Sequence, residues 1–193
     1  MKHNALPLSG AFVNLRLLSV DDALITFQWR QSQRAFLLNK GAQSVDEQAR
    51  WIQNRPASEY NFIIETKAHE PVGMLSLVDV DPVNKRAESA RFLIGDEEKV
   101  KGIPAAVESM KMLYEFAFNA LGFQRIYGTI ASDNALMIKW QKYLGMKEEG
   151  RLRNHYFING TFQDAVFLGI LADEYRTVAL SKMNSLIAMA TKK

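Results

Sequence analysis

The apolar residues of this chain recur with two periods. From Ile103 onward they fall at Ala106, Val107, Met110, Leu113, Tyr114, Ala117, Phe118 and Leu121, the three-and-four spacing of one buried helical face. A second such stripe, Tyr175, Val178, Ala179, Met183, Leu186, Ile187 and Ala190, predicts an amphipathic helix in the tail from residue 172. Nearer the start, Leu24, Ile25, Phe27 and Trp29 follow Ser19 and Asp22, and Ala49, Trp51 and Ile52 follow Ser44 and Glu47. Both polar pairs have capping-box spacing, so two short helices are expected. Strands are expected at residues 12–18, 61–66, 72–80, 87–95 and 125–131, with a turn at His69-Glu70-Pro71 joining the second and third. Asp133-Asn134 opens a further helix, and residues 146–158 and 161–171 form a hairpin about Asn159-Gly160, the strongest short hairpin signal in the chain. This order describes one mixed α/β domain.

Composition narrows the function classes. A chain of 193 residues with 48% hydrophobic content can fill one core, and a second domain would be cramped. No apolar run approaches the ~20 residues of a membrane span, and the first twelve residues lack the apolar stretch of a secretory signal. Cysteine is absent, which excludes disulfides, thiolate metal sites and a cysteine nucleophile, and fits a cytoplasmic protein. Net charge is only +3 with dispersed basic residues, so neither nucleic acid nor a membrane is an expected partner. No His/Asp/Glu cluster has metal-ligand spacing, and His155 is a lone histidine on a predicted strand.

One loop carries candidate chemistry. Lys99, Lys101 and Gly102 precede Pro104, which suits the first turn of the helix beginning there. The first N–H groups of a helix lack internal partners and carry the positive end of its dipole, so a phosphate can be held against them.

C-terminal to this loop, the stretch from Leu121 to Tyr175 resembles the C-terminal half of the GNAT superfamily of acetyl-CoA-dependent N-acetyltransferases. Long helix, strand, Asp-Asn-led helix, Leu-Gly turn and two long strands come in that family's order, and the likeness extends back to about Leu15. The resemblance implies an α/β (α+β) fold: one domain over residues 1–175 with a central mixed, mostly antiparallel sheet flanked by helices. Residues 176–193 then continue a C-terminal helix, packed on the domain or at a homodimer contact. It implies acetyl-CoA as co-substrate, no metal, and a small-molecule amine as acceptor. The cofactor-binding positions it implies are Leu93, Ile94, Lys99, Val100, Lys101, Gly102, Ile103, Pro104, Ala105, Asn134 and Lys139. Two departures stand out in the loop: Val100 replaces a frequent glycine, and Pro104 removes one N–H. Asn134 is equally a plain helix cap.

For catalysis, the resemblance implies Glu88 as the base that takes the amine proton through water. Strict alternation puts Glu88, Ala90, Phe92 and Ile94 on one face of their strand. The alternative is a carboxylate facing solvent or paired with Arg86 or Arg91. The tyrosine that serves many members as acid is replaced here by Gln141, and Tyr143 lies about 200° further round the helix, so it cannot substitute. Trp29-Arg30, the segment from Ser44 to Trp51, and Arg91 to Gly95 resemble the branch that acetylates nucleotide-linked amino sugars. That makes Trp29 and Arg30 candidate substrate-binding residues, with ordinary core and surface roles as the alternative. Glu149 to Arg153 resembles a second branch, acting on ribosomal-protein N-termini. A non-catalytic acyl-CoA-binding protein on the same fold is the reading from a different class.

Overall fold

The computed structural model describes residues 6–38 and 41–190. The ends of the expected spans 1–175 and 176–193 lie outside them. The elements are β1 (Leu8–Ser9), β2 (Val13–Leu17), α1 (Ala23–Gln31), α2 (Val45–Gln53), β3 (Tyr60–Thr66), β4 (Pro71–Asp81), β5 (Arg86–Ile94) and α3 (Ala105–Glu115). They continue with β6 (Arg125–Ala131), α4 (Ala135–Tyr143), β7 (Lys147–Ile158), β8 (Thr161–Leu171), α5 (Ala172–Glu174) and α6 (Leu180–Ala190). One eight-stranded sheet has the order β1-β2-β3-β4-β5-β6-β8-β7. Every neighbouring pair is antiparallel except β5 and β6, which α3 links as a crossover.

The helices divide between the two faces. On one face α3 and α6 cover Leu15, Phe62, Leu75, Ile126 and Ile170. On the other, α1 lays Trp29 over Ile63, Met74 and Leu93. α1 buries Ala23, Thr26 and Trp29, whereas the expected contact Leu24 is 55% exposed. The Thr26 hydroxyl bonds the Asp22 carbonyl at 2.7 Å and receives Gln48 Nε2 at 3.0 Å, so a buried polar chain ties α1 to α2.

α3 departs from the simple amphipathic expectation. Besides its apolar stripe it buries Glu108, whose carboxylate accepts the N–H groups of Ala11, Phe12 and Val13 at 2.7–2.8 Å. The helix is therefore enclosed by the sheet, the N-terminal segment and α6. Pro104 caps it from outside rather than sitting in its first turn. The helical run from Ala172 to Ala190 includes a wide turn at Tyr175–Ala179 and buries Tyr175, Ala179 and Met183 in the main core. At the hairpin, Asn159 (φ 51°) and Gly160 (φ 82°) both take the left-handed conformation that a two-residue turn requires.

β5 breaks the alternation expected for it. Ala87 and Ile94 bury in the same core although seven positions separate them, which strict alternation forbids. Arg91 adopts φ 57°, and the register with β4 slips between the Ser76–Ala90 and Met74–Leu93 pairs. A bulge at Arg91 thus reverses the phase. Glu88 lies on the face opposite Phe92 and Ile94, not with them.

Candidate active site

β5 and β6 pair only at Arg86–Arg125, Ala87–Ile126 and Glu88–Tyr127. Beyond Glu88 the strands diverge, so the facing edges of Ser89 to Arg91 and Gly128 to Ala131 border an open cavity of about 530 Å³. That volume is ordinary for a small-molecule site. Parallel strands joined by a helix need only a short shared ladder, and the bulge at Arg91 turns β5 away.

Glu88 stands where the ladder ends. Its Oε1 accepts the Thr129 hydroxyl at 2.7 Å and the Thr129 N–H at 3.3 Å. The Tyr156 hydroxyl donates in turn to Thr129 Oγ1 at 2.8 Å, and all three residues line the cavity. Burial raises the Tyr156 pKa, with the Glu88 charge adding a smaller push. Neither arginine expected as a partner takes Glu88. Arg86 reaches Asp79 at 3.3 Å and Asp81 at 3.5 Å, and Arg91 reaches Glu59 at 2.7 Å. Tyr127, next to Glu88, donates to Asp79, and burial followed by that bond raises its pKa.

The wall beneath α1 and α2 is basic and aromatic. Arg91 bonds Asn61 Oδ1 at 2.7 Å as well as Glu59, and lies 5.0 Å from the Trp51 ring centre. Arg30 lines the same wall beside Gly41. Burial, and then the charge of Arg91, pulls the Arg30 pKa below its ordinary value. Glu88 is the one carboxylate among the described lining residues. Trp29 is corrected to a core residue: it is 6% exposed, and a Cβ on Gly95 would lie 2.2 Å from its ring. Trp51, on α2, is the tryptophan that lines the cavity.

α4 forms the remaining wall. Asn134 caps it, accepting the Met137 N–H at 3.3 Å, and Asn134, Met137 and Gln141 present one helical face to the cavity. Lys139 points to solvent on another face, and Tyr143 is 51% exposed against Lys182. His155 is exposed at the rim, its ring edge-on to Tyr156.

The predicted phosphate loop lies past the open end of β5 and does not line this cavity. Gly102 takes φ 84°, and a Cβ there would meet nothing within 4 Å. The N–H groups of Gly102, Ala105, Ala106 and Val107 find no partner among the described residues. The two lysines are less available than their sequence suggests. Lys99 pairs with Glu70 at 2.9 Å and Lys101 with Glu98 at 3.8 Å. Leu93 and Ile94 are buried, and the Ile94 carbonyl accepts Arg34 Nε at 3.1 Å. Among the described residues no group of three His, Cys, Asp or Glu is placed to hold a metal ion, and no helix is long and apolar enough to cross a membrane.

Sequence comparison assigns the chain that folds this way to a family. Residues 13–147 fit the family model of the acetyltransferase (GNAT) domain. The chain belongs to the GNAT family. The spermidine N(1)-acetyltransferase of Escherichia coli (strain K12) is 30% identical to it over 118 residues, 61% of each chain. The Bacillus subtilis (strain 168) protein YdaF, named as a candidate ribosomal N-acetyltransferase, is 32% identical over 103 residues, 53% of this chain and 55% of that one. The chain thus aligns with roughly three fifths of the length of the curated relatives it matches. A solved structure of the Vibrio cholerae spermidine N-acetyltransferase with CoA and spermine shares the GNAT fold at a TM-score of 0.75 and 23% identity, covering 87% of this chain and 100% of that one.

Thr129, Tyr156 and Trp51 line the site without a sequence signal for the role. The first two reach Glu88 only through the β5–β6 and β7–β8 pairings, and no local motif marks them.

Proposed function

We propose that this protein transfers the acetyl group of acetyl-CoA to a primary amine that also carries an anionic group, with a nucleotide-linked amino sugar as the acceptor. One observation carries the reading: Glu88, held by Thr129, lines a cavity that Arg30 and Arg91 also line. Acetyl-CoA supplies an activated thioester to the amine directly, in a ternary complex. Glu88 takes the proton that the amine must lose, through water, and Thr129 fixes the carboxylate that receives it. Arg30 offers a charge-assisted contact to an acidic group on the acceptor. The open N–H groups from Gly102 to Val107 suit the pyrophosphate of CoA, and Asn134 and the unpaired edges of β5 and β6 suit its amide-bearing arm. The relatives named for spermidine favour a second reading, a polyamine acceptor. Arg91 is already paired with Glu59, but the Arg30 guanidinium on the cavity wall still disfavours a polycation there.

Matched acceptors separate these readings. A nucleotide-linked amino sugar is expected to react at least tenfold more efficiently than the free amino sugar, and the advantage is expected to weaken with salt. Arg30→Ala is expected to narrow the gap, whereas a packing defect would slow both acceptors alike. Efficient acetylation of spermidine or of a peptide N-terminus, with none of an amino-sugar nucleotide, would overturn the choice of acceptor.

A further inference from the structure

Gln141 occupies the place at which many members of this family carry an acidic tyrosine, and its surroundings assign it a defined orientation. The side chain is 5% exposed, yet it lines the cavity one helical face along from Asn134 and Met137. Its Oε1 receives the hydroxyl of Tyr114 at 3.2 Å from the core side of α3. Tyr114 is wholly buried, edge-on to Tyr175 at 5.8 Å and to Phe118 at 6.1 Å between ring centres. Burial raises its pKa well above the ordinary value, so the hydroxyl keeps its proton at every working pH. A buried hydroxyl with one neighbour donates to an acceptor, and the amide oxygen is the acceptor available. The amide nitrogen then points the other way. Nε2 has no protein partner among the described residues and is not sealed from solvent, so its two hydrogens address the cavity.

We propose that Gln141 stabilises the departing thiolate of CoA as a hydrogen-bond donor, and that Tyr114 acts as a positioning residue holding the amide in that orientation. The inference rests on the acetyl-CoA reading given above. As the amine nitrogen forms its bond to the carbonyl carbon, the carbon–sulfur bond breaks and its electron pair stays on sulfur. Gln141 Nε2–H meets that charge. The proton lost by nitrogen leaves by way of Glu88, and sulfur departs as thiolate, because an amide has no proton to give near neutral pH. Thiols are weak acids, with a pKa of about 8.5 for a cysteine side chain, so a thiolate stabilised by one donor can leave at neutral pH without an acid.

Titration of the thiol of bound CoA, followed by thiolate ultraviolet absorbance, tests this without turnover. With the wild-type protein the midpoint is expected at least about one pH unit below that with Gln141→Leu, a tenfold difference in ionisation. Gln141→Glu keeps an acceptor for Tyr114 but turns a carboxylate oxygen toward sulfur, and it is expected to raise the midpoint above that of the wild type. Tyr114→Phe is expected to fall between wild type and Gln141→Leu, and to add nothing in the Gln141→Leu background. Bound CoA titrating alike in the wild type and in folded Gln141→Leu and Gln141→Glu proteins would overturn the role of Gln141 alone. Failure of the wild type to bind CoA would overturn the acetyl-CoA reading, and this inference with it.

Discussion

Thr129 donates its hydroxyl to Glu88 Oε1 at 2.7 Å, from a position two residues beyond the last ladder pair of β5 and β6. The contact bridges the mouth of the split between the strands, so it fixes the carboxylate at the closed end of the cavity. Glu88→Gln is expected to lower turnover about 10²-fold while acetyl-CoA affinity stays near normal. The deficit should shrink at high pH, where more of the amine is already neutral. Thr129→Val keeps the volume and removes the donor, so a smaller loss of about tenfold is expected, measured as kcat/KM. Wild-type turnover by Glu88→Gln at neutral pH would make Glu88 structural.

Gly102 separates conformation from charge. At φ 84° any side chain costs about 1 kcal/mol, least for asparagine. Asparagine and aspartate share shape and differ in charge, so comparing Gly102→Asn with Gly102→Asp isolates repulsion of a phosphate. Calorimetry should show acetyl-CoA binding at least tenfold weaker to the aspartate protein, about 1.4 kcal/mol. Equal affinities would place the pyrophosphate elsewhere.

Glu108 holds the N-terminal segment to α3 through three backbone N–H groups. Glu108→Ala leaves those donors without their acceptor, and a loss of about 3 kcal/mol is expected in urea unfolding. Gly10→Ala should disturb the same contact, since a Cβ there would lie 2.6 Å from Glu108 Cδ.

Asp22 makes stability depend on acid. Burial alone would raise its pKa, but hydrogen bonds from Arg16 at 2.7 Å and from the Ser19 N–H at 2.9 Å outweigh it and hold the pKa below the ordinary carboxylate value. A lowered folded pKa gives stability that is complete above the unfolded value of about 3.9 and is lost as pH falls through the folded one. Asp22→Asn should therefore be less stable than wild type near neutral pH, by about 2 kcal/mol. The difference should close in strongly acidic solution. A gap that stays constant with pH would assign the loss to packing instead.

Much of the fold was legible because it rests on local signals. Ser44 does cap α2, accepting the Glu47 N–H at 3.1 Å, and Asn159-Gly160 does turn the hairpin. The faces of β5 depart from strict alternation because a bulge at Arg91 leaves no mark in the apolar pattern, and a one-residue slip turns every later side chain over. Trp29 and Arg30 are neighbours in sequence, yet helical geometry sends the tryptophan into the core and the arginine to the cavity. The lysines of the loop lose freedom to Glu70 and Glu98, and Glu70 lies far away in sequence. Gln141 was legible as a departure from the family, but its orientation depends on Tyr114, 27 residues earlier on another helix.

The most direct test of acetyl transfer to an anionic amine is release of CoA thiol across an acceptor panel, with product mass read in the same reaction. The panel holds a nucleotide-linked amino sugar, the free amino sugar, spermidine and an alanine-starting peptide. Thiol release matched one-to-one by N-acetylated product, fastest with the nucleotide-linked amino sugar and strongly reduced in Glu88→Gln, is the expected result. Acetyl-CoA that binds but releases no thiol with any amine would contradict it, and would leave an acyl-CoA-binding protein on a transferase fold.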